Sequence, residues 1–315
     1  MDQVIIGVDL GGTQMRAARF DPTLELLDRW AEPTRAQEGP DRVIPRLLDL
    51  IERVMPDDRS RVTGIGVSAP GPINPRTGII VSPPNLPGWH NIPLRRIVEE
   101  RFGCTVYLGN DANVAALAEA TRGAAQGYQH VIYVTVSTGI GSGVIDEGRL
   151  LIGAQGLGAE AGHMIMVVGD RISTLEKEAA GPAIARKAIA RLQAGAQSIL
   201  LERVSDLNDL TAKLIGEAAT DGDPFAIEQI AEAGHLVGLG LVTLMHLFNP
   251  QVIVVGGGVT KTGDLLFEPM RAAVREHTLD QAYWQNVPII PAALGDNVAL
   301  IGAAALVTTK GGSYL

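Results

Sequence analysis

Apolar and polar positions along the chain fall into a layout that occurs twice. Val4 to Leu10 is an apolar run broken by Gly11-Gly12-Thr13 and resumed from Met15 to Phe20, which predicts strand, glycine turn, strand. Val131 to Val136 is a second such run, followed by Ser137-Thr138-Gly139-Ile140-Gly141-Ser142-Gly143 and then by Val144-Ile145. One glycine turn is a weak signal; the recurrence points to a duplicated unit. After the first copy, Asp41 to Val54 has helical spacing and stops before Pro56, and Val62 to Ala69 reads as a buried strand. Val106 to Leu108 is a shorter strand that leads through Asn110-Asp111 into a helix ending near Gly123.

After the second copy, glycines gather at 153, 156, 158 and 162, a run with so little bulk that it reads as loop. Leu175 to Leu192 is helical with an interruption at Gly181-Pro182, and Val204 to Gly222 reads as a helix with a short acidic turn. Pro224 to Phe248 is helical throughout, its Gly234, Gly238 and Gly240 allowing close packing. Val252 to Val255 is a third buried strand ending at Gly256-Gly257-Gly258, Val287 to Ala292 is a last strand, and Asn297 to Val307 is an alanine-rich final helix.

The candidate chemistry lies where these elements break. A backbone that wraps phosphate needs positive φ and no side chain, so Gly11, Gly12 and Thr13 make one candidate phosphate turn and Thr138 and Gly139 another. An ordinary hairpin would account for the first turn equally simply. Asp9 lies beside that turn, within reach of a hydrated Mg²⁺. Asp111, at a strand-to-helix turn, is either a helix cap or a catalytic carboxylate, and local sequence does not divide the two. Glu160 and His163 form a second polar cluster. A carboxylate, a Glu/His pair and two phosphate turns are what phosphoryl transfer to a polyol requires. Gly71 belongs to a stiff proline-rich loop, Pro70 to Pro75, that can wall a small polar ligand; Trp89, in a second such loop, reads as a packing residue.

Composition narrows the picture. The 315 residues are 46% hydrophobic and 19% charged, enough for two domains with ample cores. Aromatics are only 4%, so those cores rest on Ala, Val, Ile and Leu. A formal charge of −9 with no basic block argues against a nucleic-acid surface, although a local nest of N–H groups still permits ATP. Cys104, the only cysteine, excludes an intrachain disulfide and a cysteine-rich zinc site, and its apolar surroundings predict a buried thiol. The longest apolar stretch, Leu236 to Phe248, is too short to span a bilayer, and a strand starting at Val4 leaves no room for a signal peptide. The expectation is a cytoplasmic protein that meets no membrane.

Asp9-Leu10-Gly11-Gly12-Thr13, Asn110-Asp111-Ala112-Asn113, Glu160-Ala161-Gly162-His163 and Phe248-Asn249-Pro250 with Gly256-Gly257-Gly258 together resemble the ROK family of repressors and sugar kinases, and within it the bacterial glucokinase branch. The motifs run in the family's order along nearly the whole chain. The resemblance implies an actin-like ATPase (ribonuclease H-like) fold of the α/β class, two α/β domains with a central cleft. It places the small domain at 1–112 plus 297–315 and the large one at 113–296. It implies Asp111 as general base, with Gly71, Asn110, Glu160, His163 and Glu176 as sugar contacts, and Gly257 and Gly258 as a flat backbone surface for the adenosine. The cofactors implied are ATP and Mg²⁺, and the assembly a homodimer or homotetramer.

Two departures stand out. Many relatives carry three cysteines between the His and the Leu-Glu pair, completing a zinc site; Met164 to Thr174 has none, so no structural zinc is expected. Gln14 stands where the family usually has Lys, which leaves Arg16 to be considered as a substitute. The implied reaction is phosphorylation of a hexose, most simply glucose at its 6-hydroxyl. N-acetylmannosamine, fructose, mannose and allose are alternatives. A sugar-responsive repressor would carry an added N-terminal helix-turn-helix, and a filament-forming actin relative would leave Glu160 and His163 unexplained.

Overall fold

Val4–Leu10 is buried at every position but Asp9, and it forms the strand around which the first sheet assembles in the computed structural model, which describes residues 3–315. In chain order the first elements are β1 (Val4–Leu10), β2 (Gln14–Phe20), β3 (Leu26–Pro33), α1 (Pro40–Val54), β4 (Val62–Ala69), β5 (Ile73–Asn74), β6 (Ile79–Ile80), α2 (Leu94–Phe102), β7 (Val106–Asn110) and α3 (Asp111–Arg122). They are followed by β8 (Val131–Val136), β9 (Ile140–Asp146), β10 (Arg149–Leu150), β11 (Ile165–Val168), β12 (Arg171–Thr174), α4 (Leu175–Ala179), α5 (Gly181–Gln193), α6 (Leu200–Arg203) and α7 (Ala212–Thr220). The last are α8 (Pro224–Phe248), β13 (Val252–Gly256), α9 (Asp264–His277), β14 (Ile289–Pro291) and α10 (Val298–Thr308).

Two five-stranded sheets share one topology. The first has the order β3-β2-β1-β4-β7 and the second β10-β9-β8-β13-β14. In the first, β1 is antiparallel to β2 and parallel to β4, and β4 is parallel to β7. In the second, β13 is parallel to both β8 and β14. The strand–turn–strand pattern read twice in the sequence is thus the start of each sheet, and this repeated α/β topology is the actin-like ATPase fold. The chain divides into two compact units. Unit 1 runs to Gln129 and takes in Gly143–Ala159 and Ala293–Leu315, and unit 2 comprises His130–Ser142 and Glu160–Ala292.

In unit 1, α1 turns Val43, Leu47, Leu50, Ile51 and Val54 into a core shared with Ile6, Val8, Ile65 and Val67. Each such side chain, fully buried, contributes about 1.5–3 kcal/mol. Trp89 is 1% exposed and belongs to the same core, the packing role expected of it. The last helix, α10, lies so close to its neighbours that side chains are excluded. A Cβ on Gly66 of β4 would stand 1.7 Å from the Ala303 carbonyl oxygen, and one on Gly302 of α10 2.0 Å from that of Val114 in α3. These backbone contacts fix α3, whose first residue is Asp111, against the sheet.

Several elements differ from the sequence reading. The strand β3 shows no apolar alternation because it is a largely exposed edge, and the charge-rich α2 buries only Leu94, Val98 and Phe102. Neither was expected, nor was α9, which carries Pro269 in its interior. The second turn spans only residues 137–139, so β9 starts at Ile140 and takes in Gly141 to Gly143. The helix expected over Val204 to Gly222 is instead a 3₁₀ turn at Leu207–Asp209 followed by α7. Asp206 and Thr211 each cap a separate start, which breaks the segment in two. Cys104 is only partly buried, lying just after Gly103 ends α2. Helix α8 extends beyond the uninterrupted apolar run and is, by length and composition alone, long enough to cross a membrane; 61% of its most apolar window is buried inside the protein.

Gly66→Ala forces a methyl into backbone and should cost on the order of 3 kcal/mol. Thermal melting should show a Tm lower by at least about 5 °C. A Tm within about 1 °C of wild type would show that α10 is not seated as described.

Candidate active site

In unit 1 the site begins with strand register. Asp9 on β1 pairs with Ser68 on β4, and Ser68 pairs with Gly109 on β7, so the three lie in one row across parallel strands. At a strand spacing of about 4.8 Å, Asp9 is roughly 10 Å from that row's far member. Asp111 follows two residues later, at the carboxyl ends where α/β sheets present their ligands. The cap question raised by the sequence has an answer. Asn110 caps α3, its side-chain oxygen accepting the Asn113 N–H at 2.8 Å. Asp111 is then the first residue of the helix, and its Oδ1 accepts the Ala112 N–H at 2.9 Å. The Asn110 side-chain amide donates to nothing among the described residues. Gly71 lies next to Asn110, a Cβ built on it being 3.8 Å from that of Asn110.

Both carboxyls are perturbed. Asp111 is open to solvent on one side, yet desolvation by the surrounding protein, and then the charge of Asp9, push it above the ordinary aspartate range against the Ala112 hydrogen bond. Asp9 is pushed up by burial, which outweighs the lowering by Arg16. Arg16 stands directly opposite Asp9 in the β1–β2 ladder, and its Nε and Nη2 donate to Asp9 Oδ2 at 2.9 and 2.6 Å. Its Nη1 donates to the Asp296 carbonyl at 2.7 Å. Arg16 is therefore bound to Asp9, and Gln14 is exposed at the start of β2. Asp9 Oδ1 takes no hydrogen bond among the described residues. Asp9, with an open oxygen beside a second carboxyl, suits a divalent cation, which would offset the charge of Asp9 and leave the desolvation of Asp111 in place.

The turn Gly11–Thr13 is held from behind by Thr34, a fully buried residue that sequence reasoning missed. Its hydroxyl donates to the Gly11 carbonyl at 2.6 Å, and its N–H to that of Thr13 at 2.8 Å. No local motif marks Thr34, because it reaches the turn through the β2–β3 pairing.

In unit 2 the turn Ser137–Gly139 is closed by the Ser137 N–H to the Gly139 carbonyl at 2.9 Å, and Gly181 at the start of α5 donates its N–H to the Ser137 carbonyl at 2.7 Å. Glu176 on α4 comes to this turn from 36 positions along the chain, its Oε2 accepting the Ile140 N–H at 2.9 Å. Its Oε1 takes no hydrogen bond among the described residues. The short 3₁₀ turn Ala161–His163 is tied to β9 by the Ala161 N–H, which donates to Ser142 Oγ at 3.1 Å. Glu160 and His163 are both exposed beside it. The structure therefore gathers Gly139, Glu176 and the Glu160–His163 segment around the start of β9.

A cavity of ≈ 1170 Å³ in the same unit is lined by Thr138 and Gly258 together with the amino end of α5 and one face of α7. Gly257, at φ 95°, turns the chain into it; a Cβ there would lie 2.3 Å from the Val136 carbonyl, so no other residue fits. Gly139 and Gly257 support the lining without forming it. Arg186, Lys213 and Lys261 add positive charge to its wall. These residues were not anticipated, since α7 was read as the tail of a longer helix. Among the described residues no group of three His, Cys, Asp or Glu side chains could hold a metal ion.

Paired sheets of order 3-2-1-4-5, each opening on a strand, a glycine turn and a second strand, define an actin-like ATPase. Residues 5–310 match the ROK family. The chain is 31% identical over 312 residues to a glucokinase of Thermotoga maritima, covering 97% of this chain and 98% of the relative. A ROK hexokinase structure from Thermus thermophilus matches at 36% identity and a TM-score of 0.78, over 96% of this chain and 97% of that one. A ROK family glucokinase from Streptomyces griseus, solved with glucose and AMPPNP, matches at 32% and 0.79, over 96% and 98%. Transcriptional regulators match too: one homologous to the E. coli MLC protein has 27% identity and a TM-score of 0.88, over 98% of this chain and 78% of the regulator. The chain belongs to the ROK family, and within it to the sugar kinases.

Replacing Arg16 by Met removes the counter-charge of Asp9 and lifts its carboxyl further. The native state then keeps a proton that the unfolded chain releases, so stability falls as pH rises from the ordinary aspartate value toward the raised one. The Tm gap to wild type should be larger at pH 8 than at pH 4, near the ordinary aspartate value. An equal gap, or a larger one at pH 4, contradicts the pairing.

Proposed function

We propose that the chain transfers the γ-phosphoryl group of ATP to a hexose, with glucose and its 6-hydroxyl as the preferred acceptor. The observation that carries this reading is Asp111, a carboxylate at the carboxyl edge of the unit 1 sheet whose proton affinity is raised by desolvation and by Asp9. A base whose pKa is lifted toward the working pH is better matched to taking a hydroxyl proton. In unit 1, Asp111 accepts the proton of the sugar hydroxyl as its oxygen attacks the γ-phosphorus. The bond to the bridging oxygen breaks and ADP leaves. Asn110 and Gly71 contact the sugar. In unit 2, Glu160, His163 and Glu176 take other hydroxyls, the open Oε1 of Glu176 being suited to accept one.

Phosphoryl transfer asks the protein mainly for positioning and charge neutralisation. In unit 1 the Gly11–Thr13 turn, which the Gly11 N–H closes on the Gln14 carbonyl at 3.0 Å, offers the N–H groups of Gly12 and Thr13 to the phosphates, and in unit 2 Thr138 and Gly139 offer theirs. Gly258, with Gly257 turning the chain into the cavity, gives the adenosine a stretch of wall without side chains. Asp9, through Oδ1, would hold the Mg²⁺ that accompanies the nucleotide and neutralises phosphate charge. No structural zinc is part of this reading. The rest of it is a cytoplasmic homodimer or homotetramer acting on sugar and ATP, with neither nucleic acid nor membrane as partner.

Glucose is favoured by the glucokinases among the relatives, and a coupled ADP-release assay over glucose, mannose, fructose, allose and N-acetylmannosamine tests it. Glucose should give the highest kcat/KM; turnover of another hexose above glucose would move the specificity, and no turnover of any would end the kinase reading. Asp111→Asn should fold, bind glucose and lose about 10²–10⁴-fold in kcat. A loss under about threefold would remove Asp111 as the base. Stoichiometric zinc in the purified protein would overturn the metal-free reading of His163.

A further inference from the structure

The segment between His163 and Glu176 is the hairpin β11–β12, and its outer side carries almost no packing. Ile165, Val167 and Ile172 are 66%, 75% and 77% exposed, and the register sets Val167 directly opposite Ile172 on that side. What holds the hairpin lies on its other side, where it meets one carboxylate. Glu178 of α4 has a side chain with 0% exposure, and it receives three donors from β12. Arg171 Nη1 and Nη2 donate to Oε1 and Oε2 at 2.6 and 2.9 Å, and Ser173 Oγ donates to Oε1 at 2.6 Å. Lys187 of α5 stands 3.3 Å from Oε2 and reaches on to Glu232 of α8 at 2.7 Å. At the hairpin base the Leu175 N–H donates to the Met164 carbonyl at 3.0 Å.

We propose that Glu178 is a positioning residue for the sugar site, locking the β11–β12 hairpin to α5 and so fixing His163 and Glu176, which flank it, relative to each other. This rests on the reading of those two residues as sugar contacts. The geometry is direct: His163 is two residues before β11, and Glu176 is the second residue of α4, immediately after β12. A hairpin with an exposed apolar face gains little from burial, so its orientation depends on the charge-assisted bonds to Glu178. Arg171's hydrogen bonds, with smaller help from Ser173 and Lys187, hold the Glu178 carboxyl down to about 2, so the lock is charged throughout the working range. A buried carboxylate stripped of partners is costly, so breaking the cluster moves the segment.

The test uses the full-length enzyme and separates sugar binding from everything else. Glu178→Gln removes the charge, and Arg171→Met removes the main donor at a position exposed enough that folding should survive. In each, KM for glucose should rise at least about tenfold, since a hydroxyl that loses its hydrogen bond to a charged group costs about that much in binding. KM for ATP should stay within about twofold and kcat at saturating glucose within about threefold. Arg171→Lys, which keeps a donor, should recover part of the loss. His163→Ala is measured alongside. If it raises the glucose KM while the Glu178 and Arg171 variants do not, or if those variants degrade both KM values and kcat together, the positioning role fails and the sugar reading stands. If His163→Ala leaves the glucose KM unchanged, the sugar reading itself fails and this proposal with it.

Discussion

Two carboxylates that repel each other are held at the same edge of one sheet, and the first unit is arranged around that constraint. Asp9 and the Asn110-Asp111 turn reach this edge because β1, β4 and β7 are parallel neighbours, so their carboxyl ends align. Neither carboxyl is fully compensated: Arg16 takes one oxygen of Asp9, and the backbone N–H groups of Ala112 and of Asp111 itself do not offset the desolvation of Asp111. Such an arrangement persists because the rest of the unit over-determines it. Helix α3 is pinned at Val114 by Gly302, α10 is pinned to β4 at Gly66, and the Glu119 carboxylate accepts N–H groups from Ala124, Ala293 and Leu294.

The second unit repeats the topology but not the chemistry. Where β1 nears its end with Asp9, β8 ends at Val136 and leads to Thr138, with no carboxylate in that place. Acidic character enters instead through Glu176, brought to the turn by α4. The repeated sheet supplies two glycine turns, and the residues around each have been specialised. In one unit they are two carboxyls of raised proton affinity; in the other, a cavity lined by Thr138 and Gly258 together with the polar side chains of Glu160, His163 and Glu176.

Much of this could be read from the chain before its structure. Apolar runs located β1, β4, β8 and β13, because strands buried on both faces leave an unmistakable mark, while β2 and β7 were legible from their place beside the glycine turn and the Asn110-Asp111 turn. The two glycine turns and the interruption at Gly181 were equally legible, since glycine and proline punctuate locally. What escaped was of three kinds. Exposed elements such as β3 carry no apolar period. Capping side chains such as Asp206 and Thr211 divided a segment whose composition favours one helix. Long-range polar contacts left no local trace: Thr34 behind the first turn, Glu119 beneath the last crossing of the chain, and Glu178 beneath the hairpin. The partner of Arg16 lay between these cases, because a two-residue turn at Gly12-Thr13, closed by the Gly11 N–H on the Gln14 carbonyl, places it opposite Asp9 once the register is counted outward.

The central claim is that the raised carboxyl of Asp111 is the group that takes the proton. The pH dependence of kcat with saturating glucose and ATP tests it most directly. The account expects an acid limb with its midpoint above about 3.9, the ordinary aspartate value, and expects Asp111→Asn to abolish that limb along with most of the rate. A kcat that holds level down to the onset of acid unfolding, or an acid limb that survives unchanged in Asp111→Asn, would contradict it.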